Sequence, residues 1–238
     1  QFKIINLMSQ IIISLIPAKE KSGKIKNKNL LKIEKKTLLE ISILTSINCK
    51  KIHQTYVSSE SKKILKIAKK YKCEIVNRPA NLSTNAAKGI DVIKHFAKSL
   101  DKNLAKLNPI IIILQPTSPL RTIKDIQNSI KIFKKKKLDF LISVKENKIS
   151  PFKDLIIKKN KLVPITEIKN IFENRQSFPK TFKPNGAIFI FSYKSLLKKN
   201  ISLDKSFPYI MDDISSIDVD TVNDYKLVKK YFKRNHGK

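Results

Sequence analysis

Pro109-Ile-Ile-Ile-Ile-Leu-Gln-Pro-Thr-Ser-Pro-Leu-Arg-Thr122 carries two signals in succession. Residues 109–114 are an apolar, β-branched run, too short to span a membrane. Bounded by turn-forming residues, such a run reads as a buried strand of a parallel sheet. Residues 115–122 then form a polar, proline-stiffened loop at the carboxyl end of that strand, where open α/β sheets place their ligands. Gln115, Thr117 and Ser118 supply hydrogen-bond donors and acceptors, and Arg121 supplies a planar fork suited to phosphate or carboxylate. The same residues also read as a capped strand-to-helix turn, with Ser118 or Thr122 as N-cap and Pro119 in the first turn.

Outward from this stretch the chain alternates strand and helix signals. Strands are expected at about 10–17, 52–58, 74–77, 109–115 and 138–145, and helices at about 37–48, 60–72, 85–100 and 122–137. This is the rhythm of βαβ crossovers, an α/β fold with a mostly parallel sheet flanked by helices. Residues 147–184 break it with prolines at 151, 164, 179 and 184 and short alternating segments, which predicts a small β-rich arm that serves as a dimer contact. The sheet pattern resumes at Ala187–Phe191, followed by a short helix, a strand at 216–220 and a last helix at about 221–234. Residues 8–238 read as a single domain, with 1–7 an extension ahead of Met8.

Net charge is +31 over 238 residues. A bare charge of that size favours an anionic partner. Its distribution does not: apart from Arg78, Arg121, Arg175 and Arg234 the basic residues are lysines, spread along polar helix faces such as Lys62, Lys66 and Lys69. No aromatic RNA-binding strand or helix-turn-helix pattern accompanies them, so no specific nucleic acid is expected. A non-catalytic basic nucleic-acid-binding protein is the alternative from another class. No apolar stretch is long enough for a spanning helix, so membrane insertion is not expected. Cys49 and Cys73 lack metal-ligand spacing and read as buried thiols in a reducing cytoplasm. His53, His95 and His236 show neither ligand spacing nor a triad pattern.

Four segments carry chemistry. Pro17-Ala-Lys-Glu-Lys-Ser-Gly-Lys-Ile-Lys-Asn-Lys-Asn29 places five lysines in one strand-to-helix connection. Backbone N–H groups near Gly23 would form an anion nest, and the lysines would neutralise a triphosphate. The Gly-x4-Gly-Lys spacing of a Walker loop is absent. Arg78-Pro-Ala-Asn-Leu-Ser-Thr-Asn85 follows the third strand, and Thr84 or Asn85 there also reads as a helix cap. Arg175 through Gly186 brings arginine, lysine and asparagine to the point where the arm re-enters the sheet. Ser216-Ile-Asp-Val-Asp-Thr221 sets Asp218 and Asp220 two apart, hence on the same side of an extended segment. Two adjacent carboxylates need a compensating cation, which makes a Mg²⁺ site. Asp220 also reads as the N-cap of the last helix, with Asp224 in its first turn.

In order and spacing these segments resemble the acylneuraminate cytidylyltransferases, from about Ile11 to Phe232. The most specific parts are Leu114–Arg121, Pro184-Asn-Gly-Ala-Ile188 and Ser216–Thr221. The resemblance implies a Rossmann-like nucleotidyltransferase fold and a homodimer. It implies transfer of CMP from CTP to a nine-carbon 2-keto sugar acid, with release of pyrophosphate. The Pro184–Ala187 segment favours sialic or legionaminic acid over pseudaminic acid. Carried over by position, Lys19, Lys28 and Asp218 are the catalytic residues. Ala18, Lys19, Ser22, Lys24, Lys28, Asn29, Arg78, Thr84 and Gln115 contact nucleotide. Gln115, Thr117, Ser118, Lys153, Arg175, Lys183 and Asn185 contact the sugar acid, and Asp218 and Asp220 hold Mg²⁺, with Mn²⁺ able to replace it. Three departures stand out. The family's Ser-Lys-Gly is Ser22-Gly23-Lys24, an acidic Glu20 sits in the basic loop, and lysines at 19 and 183 replace arginines.

Overall fold

The isoleucine run lies at the centre of a seven-stranded sheet and is buried on both faces, none of Ile110–Ile113 being more than 1% exposed. The structure, a computed structural model, describes residues 10–21, 23–198 and 200–236, with no side-chain description beyond 233. The expected extension at 1–7 and the nucleotide contact expected at Ser22 lie outside these residues. The chain opens with β1 (Ile12–Pro17), a two-residue pair β2 (Lys32–Ile33) and β3 (Lys36–Thr37), α1 (Leu38–Ile47), β4 (Gln54–Ser59), α2 (Lys62–Lys70) and β5 (Glu74–Asn77). It continues through α3 (Gly89–Ser99), α4 (Lys102–Lys106), β6 (Ile110–Ile113), α5 (Ile123–Lys135) and β7 (Phe140–Glu146). The last third comprises β8 (Leu155–Lys158), β9 (Lys161–Pro164), β10 (Phe182–Ser192), α6 (Tyr193–Leu197), β11 (Ser206–Ile210) and α7 (Val222–His236).

Sheet order is β11-β7-β10-β6-β1-β4-β5. Every adjacent pair is parallel except those made by β10, which runs antiparallel between β6 and β7. Alternation along β1 divides the core. Ile12 and Ile16 face the layer containing α1, α2 and α5, whereas Ile13 and Leu15 face Phe96 of α3 and Leu196 of α6. Period-2 side-chain geometry makes both faces apolar, as a sheet covered on two sides requires. A third cluster seats Val228 and Phe232 of α7 against Leu38 and Ile41 of α1. That contact brings the carboxyl-terminal segment beside the amino-terminal loop.

Helix starts follow capping chemistry. Thr37 with Glu40, and Thr122 with Asp125, form complete capping boxes at α1 and α5. Thr122 rather than Ser118 is therefore the cap after the isoleucine strand. Neither Thr84 nor Asn85 caps α3: residues 80–83 form a 3₁₀ turn and the helix begins at Gly89. Residues 216–220 are not a strand. Their backbone is tied to the loop after β6 by the Val219 N–H, which donates to the Thr117 carbonyl at 2.8 Å. The edge position near them is filled by β11, which pairs in parallel with β7. The expected β-rich arm is the β8–β9 hairpin with flanking 3₁₀ turns. Lys159 and Asn160 at its tip both have positive φ (50° and 59°), as a tight two-residue hairpin turn demands.

Candidate active site

Parallel strands that end at one edge of the sheet deliver their loops to a common place. The loops after β1, β5 and β6 and the segment at 218–220 surround a cleft of about 580 Å³ there. Lys19, Lys24, Lys28, Asn29, Arg78, Thr84, Gln115, Thr117, Asp218 and Asp220 all line it. The amino-terminal lysines and the carboxyl-terminal carboxylates, some 190 residues apart in sequence, touch: Lys28 Nζ lies 2.7 Å from Asp220 Oδ1. Lys19 Nζ donates to Asn85 Oδ1 at 2.9 Å, so a second contact crosses the cleft mouth. The buried Asn29 amide donates to the Lys19 carbonyl at 2.8 Å and fixes the course of the basic loop.

Asp218 is largely buried, and one of its carboxyl oxygens has no hydrogen-bond partner. Burial pushes its carboxyl above the ordinary range; the Thr117 side chain opposes this by hydrogen bonding, Asp220 adds to it, and Lys28 opposes it. A buried, under-satisfied carboxylate beside a second carboxylate is a costly arrangement, which the Lys28 ammonium on Asp220 offsets only in part. The pair therefore fits a divalent metal ion. Among the described residues no group of three or more His, Cys, Asp or Glu side chains could enclose such an ion. Mg²⁺ typically takes one or two carboxylates and completes its shell with phosphate oxygens and water, so two carboxylates are a donor set it accepts.

Gly186 is built for this corner. Its φ of +76° is left-handed, and a Cβ placed there would lie 3.6 Å from Gln115 Oε1 and 3.8 Å from Asp218 Oδ2. Those are ordinary contacts, so the backbone angle sets the requirement for glycine. Gly186→Ala is expected to cost about 1–2 kcal/mol and lower the melting temperature by about 2–8 °C, readable in a thermal melt.

Several expected contacts do not face the cleft. Ala18 is fully buried, its N–H bound to the Ser58 carbonyl. Ser118 is also fully buried, its hydroxyl facing no partner among the described residues. Asn185 is closed in by the fold. Its amide donates to Ser216 Oγ and Met211 Sδ, and its carbonyl oxygen accepts from Ser143 Oγ and the Ala187 N–H. Lys183 opens on a different groove, lined also by Lys145, Lys148 and Asp213. Lys153 and Arg175 sit on 3₁₀ turns of the arm and do not line the cleft of their own chain. Arg121, read as an anion fork, is buried and bonded to the Gln115 and Ala187 carbonyls and Ser42. Sequence reasoning missed the apolar wall of Ile90, Ile93, Ile113, Phe140, Phe189 and Phe191, whose β-strand members alternate as ordinary core residues do.

A parallel sheet with one antiparallel strand, a lysine loop on one side of the cleft and a carboxylate pair on the other define a nucleotidyltransferase. A model of the cytidylyltransferase family matches residues 13–230. The chain belongs to the acylneuraminate cytidylyltransferase family. It is 30% identical over 231 residues to the post-translational flagellin modification protein B of Campylobacter coli, covering 96% of this chain and 97% of that protein. It is 31% identical over 223 residues to the N-acylneuraminate cytidylyltransferase of Escherichia coli O18:K1:H7, covering 91% of this chain but 51% of that one. The chain thus spans about half the length of the E. coli relative. A CMP-N,N'-diacetyllegionaminic acid synthase of Campylobacter jejuni is 28% identical, with 92% and 93% covered. Among solved structures, a CMP:2-keto-3-deoxy-manno-octonic acid synthetase complexed with CTP superposes with a TM-score of 0.66 at 14% identity, covering 95% of this chain and all of that one. A 4-diphosphocytidyl-2C-methyl-D-erythritol synthase from Anaerococcus prevotii gives 0.63 at 16% identity, with 94% and 97% covered. At such identities the likeness is one of fold. Among the described residues no helix is long and apolar enough to cross a membrane.

Proposed function

We propose that the protein activates a nine-carbon 2-keto sugar acid of the sialic type, an N-acylneuraminate or a legionaminate, by transfer of CMP from CTP. The observation that carries this reading is the meeting of Lys19, Lys24 and Lys28 with Asp218 and Asp220 around one cleft. In this reaction the anomeric hydroxyl of the sugar acid attacks the α-phosphorus. The bond to pyrophosphate breaks on the opposite side, and the hydroxyl proton is released. Such transfers depend on in-line positioning and neutralisation of developing charge. Lys19, Lys24 and Lys28 neutralise the departing pyrophosphate, and Arg78 and Thr84 face the nucleoside. Gln115 and Thr117 sit between nucleotide and sugar. Asp218 and Asp220 would hold Mg²⁺, whose chemistry when bound is to polarise the α-phosphate and acidify the attacking hydroxyl.

The arm supports a homodimer. Ile157, Leu162 and Phe172 are 77%, 69% and 84% exposed there, a run of apolar surface that association would cover. Pairing through the arm would also give Lys153 and Arg175 a cleft to serve.

The test is pyrophosphate release with Mg²⁺, CTP and a panel of sialic, legionaminic, pseudaminic and 2-keto-3-deoxy-manno-octonic acids. Release is expected only when CTP and a sialic-type or legionaminic acid are both present. Release without any sugar acid, or none with the whole panel, refutes the reading.

A further inference from the structure

Glu20 sits in the middle of a loop expected to meet a triphosphate, yet its side chain is directed away from the cleft. Its Oε2 accepts from Ser61 Oγ at 2.6 Å, and its N–H donates to Glu60 Oε1 at 2.9 Å. Glu60 lies just past the end of β4 and does not line the cleft. Its other carboxyl oxygen is buried without a hydrogen-bond partner. That charge acts on Arg78, whose guanidinium burial draws downward and Glu60 pushes back up. Arg78 is itself held on Ser58, near the end of β4, donating to the Ser58 carbonyl at 2.6 Å and to Ser58 Oγ at 3.2 Å. The Ala18 N–H donates to that same Ser58 carbonyl at 3.0 Å. One short stretch, Ser58 to Ser61, therefore fixes both the entry to the lysine loop and the arginine opposite it.

We propose that Glu60 is a positioning residue for nucleotide binding, acting as an acidic latch behind the cleft that aims the basic loop at the phosphates. This rests on the proposed cytidylyl transfer. The latch also accounts for Glu20. An acid in a phosphate loop repels its ligand when it faces inward, but turned outward onto Ser61 it becomes the second tie of the loop to α2. Both ties matter because five of the loop's side chains, at 19, 21, 24, 26 and 28, are lysines, whose flexible stems fix no backbone course by themselves.

Steady-state kinetics test it. Displacing a phosphate-binding group by about 1 Å costs up to about 10²-fold, so Glu60→Ala is expected to raise the KM for CTP about tenfold. The KM for the sugar acid should change less than about threefold, since that substrate binds beyond the loop. Glu60→Gln should recover most of the loss, because its amide oxygen can still accept from the Glu20 N–H. Glu20→Ala removes only the Ser61 tie and is expected to raise the KM for CTP about threefold. An equal rise in both KM values, or an unchanged KM for CTP in Glu60→Ala, overturns the proposal. If Glu60→Ala does not fold, an unchanged KM for CTP in Glu20→Ala does so instead. If the unaltered chain turns over no CTP, the functional reading fails separately. Calorimetric titration with CTP alone then decides the latch: weaker binding in the variants supports it, and equal binding overturns it.

Discussion

Asp218→Asn is expected to lower pyrophosphate release by about 10²–10³-fold, the usual cost of removing one preorganised electrostatic contact from a transferring phosphoryl group. With divalent cations chelated, the same change is expected to raise the melting temperature. The Asp218 carboxyl is held above its ordinary value of 3.8, chiefly by burial, with Asp220 adding to the effect. A carboxyl raised on folding binds more protons in the folded state than in the unfolded one. Its contribution to stability is therefore present at low pH and is lost as pH rises through the folded value, leaving a net penalty at neutral pH. Asparagine carries no charge to desolvate. The stabilisation should be clear at pH 7 and vanish below about pH 4, where the native carboxyl is protonated in both states. Mg²⁺ should raise the melting temperature of the unaltered protein, as a ligand that binds only the folded state does, and leave that of the variant unmoved. Full activity in Asp218→Asn, or a Mg²⁺ shift that survives the substitution, would remove the carboxylate pair from the site.

Much of this architecture is legible in local sequence. β1, β4 and β6 are bounded apolar or alternating runs, and the capping boxes at Thr37 and Thr122 mark two helix starts. What escapes local reading depends on contacts remote in sequence. β11 contains Pro208, which argues against a strand, yet the strand lies at the sheet edge where one missing N–H is tolerated. Residues 216–220 alternate like a strand, but they join no ladder: the Val219 N–H meets the Thr117 carbonyl and the Ser216 hydroxyl accepts from the Asn185 amide. Within the site, the lysine loop and acidic pair are visible because residue type and order alone identify them. The expected contacts at Asn185 and Arg121 look like ligand groups because most of their partners lie 26 to 79 residues away and cannot be read from their neighbours. Glu20 shows the reverse. In sequence it conflicts with an anion site, and the fold resolves the conflict by turning it onto Ser61.

Arg121→Met is expected to be the most destabilising single substitution near the cleft, by about 3–5 kcal/mol, or roughly 6–20 °C in melting temperature. Arg121 is 3% exposed. Burial lowers its guanidinium to about 10, with the charge of Asp125 pushing back. Nη1 donates to the Ala187 carbonyl at 2.7 Å and the Gln115 carbonyl at 3.2 Å, and Nη2 donates to Ser42 Oγ at 2.8 Å. One side chain thus joins the loop after β6, strand β10 and helix α1 behind the reaction centre. Methionine matches much of the volume and removes the buried charge, but it leaves two buried carbonyls and a hydroxyl without that donor. Lysine keeps the charge and loses the planar fork, because one ammonium cannot follow the divergent directions of these three acceptors. Arg121→Lys should therefore remain clearly destabilised in a denaturant titration, with a lower midpoint and an unchanged slope. Both variants should also lose kcat/KM at temperatures where they are fully folded, because the Gln115 and Ala187 carbonyls set the spacing between the cleft floor and Gly186. A lysine variant as stable and as active as the unaltered protein would show that charge alone, without the bonding pattern, suffices at this position.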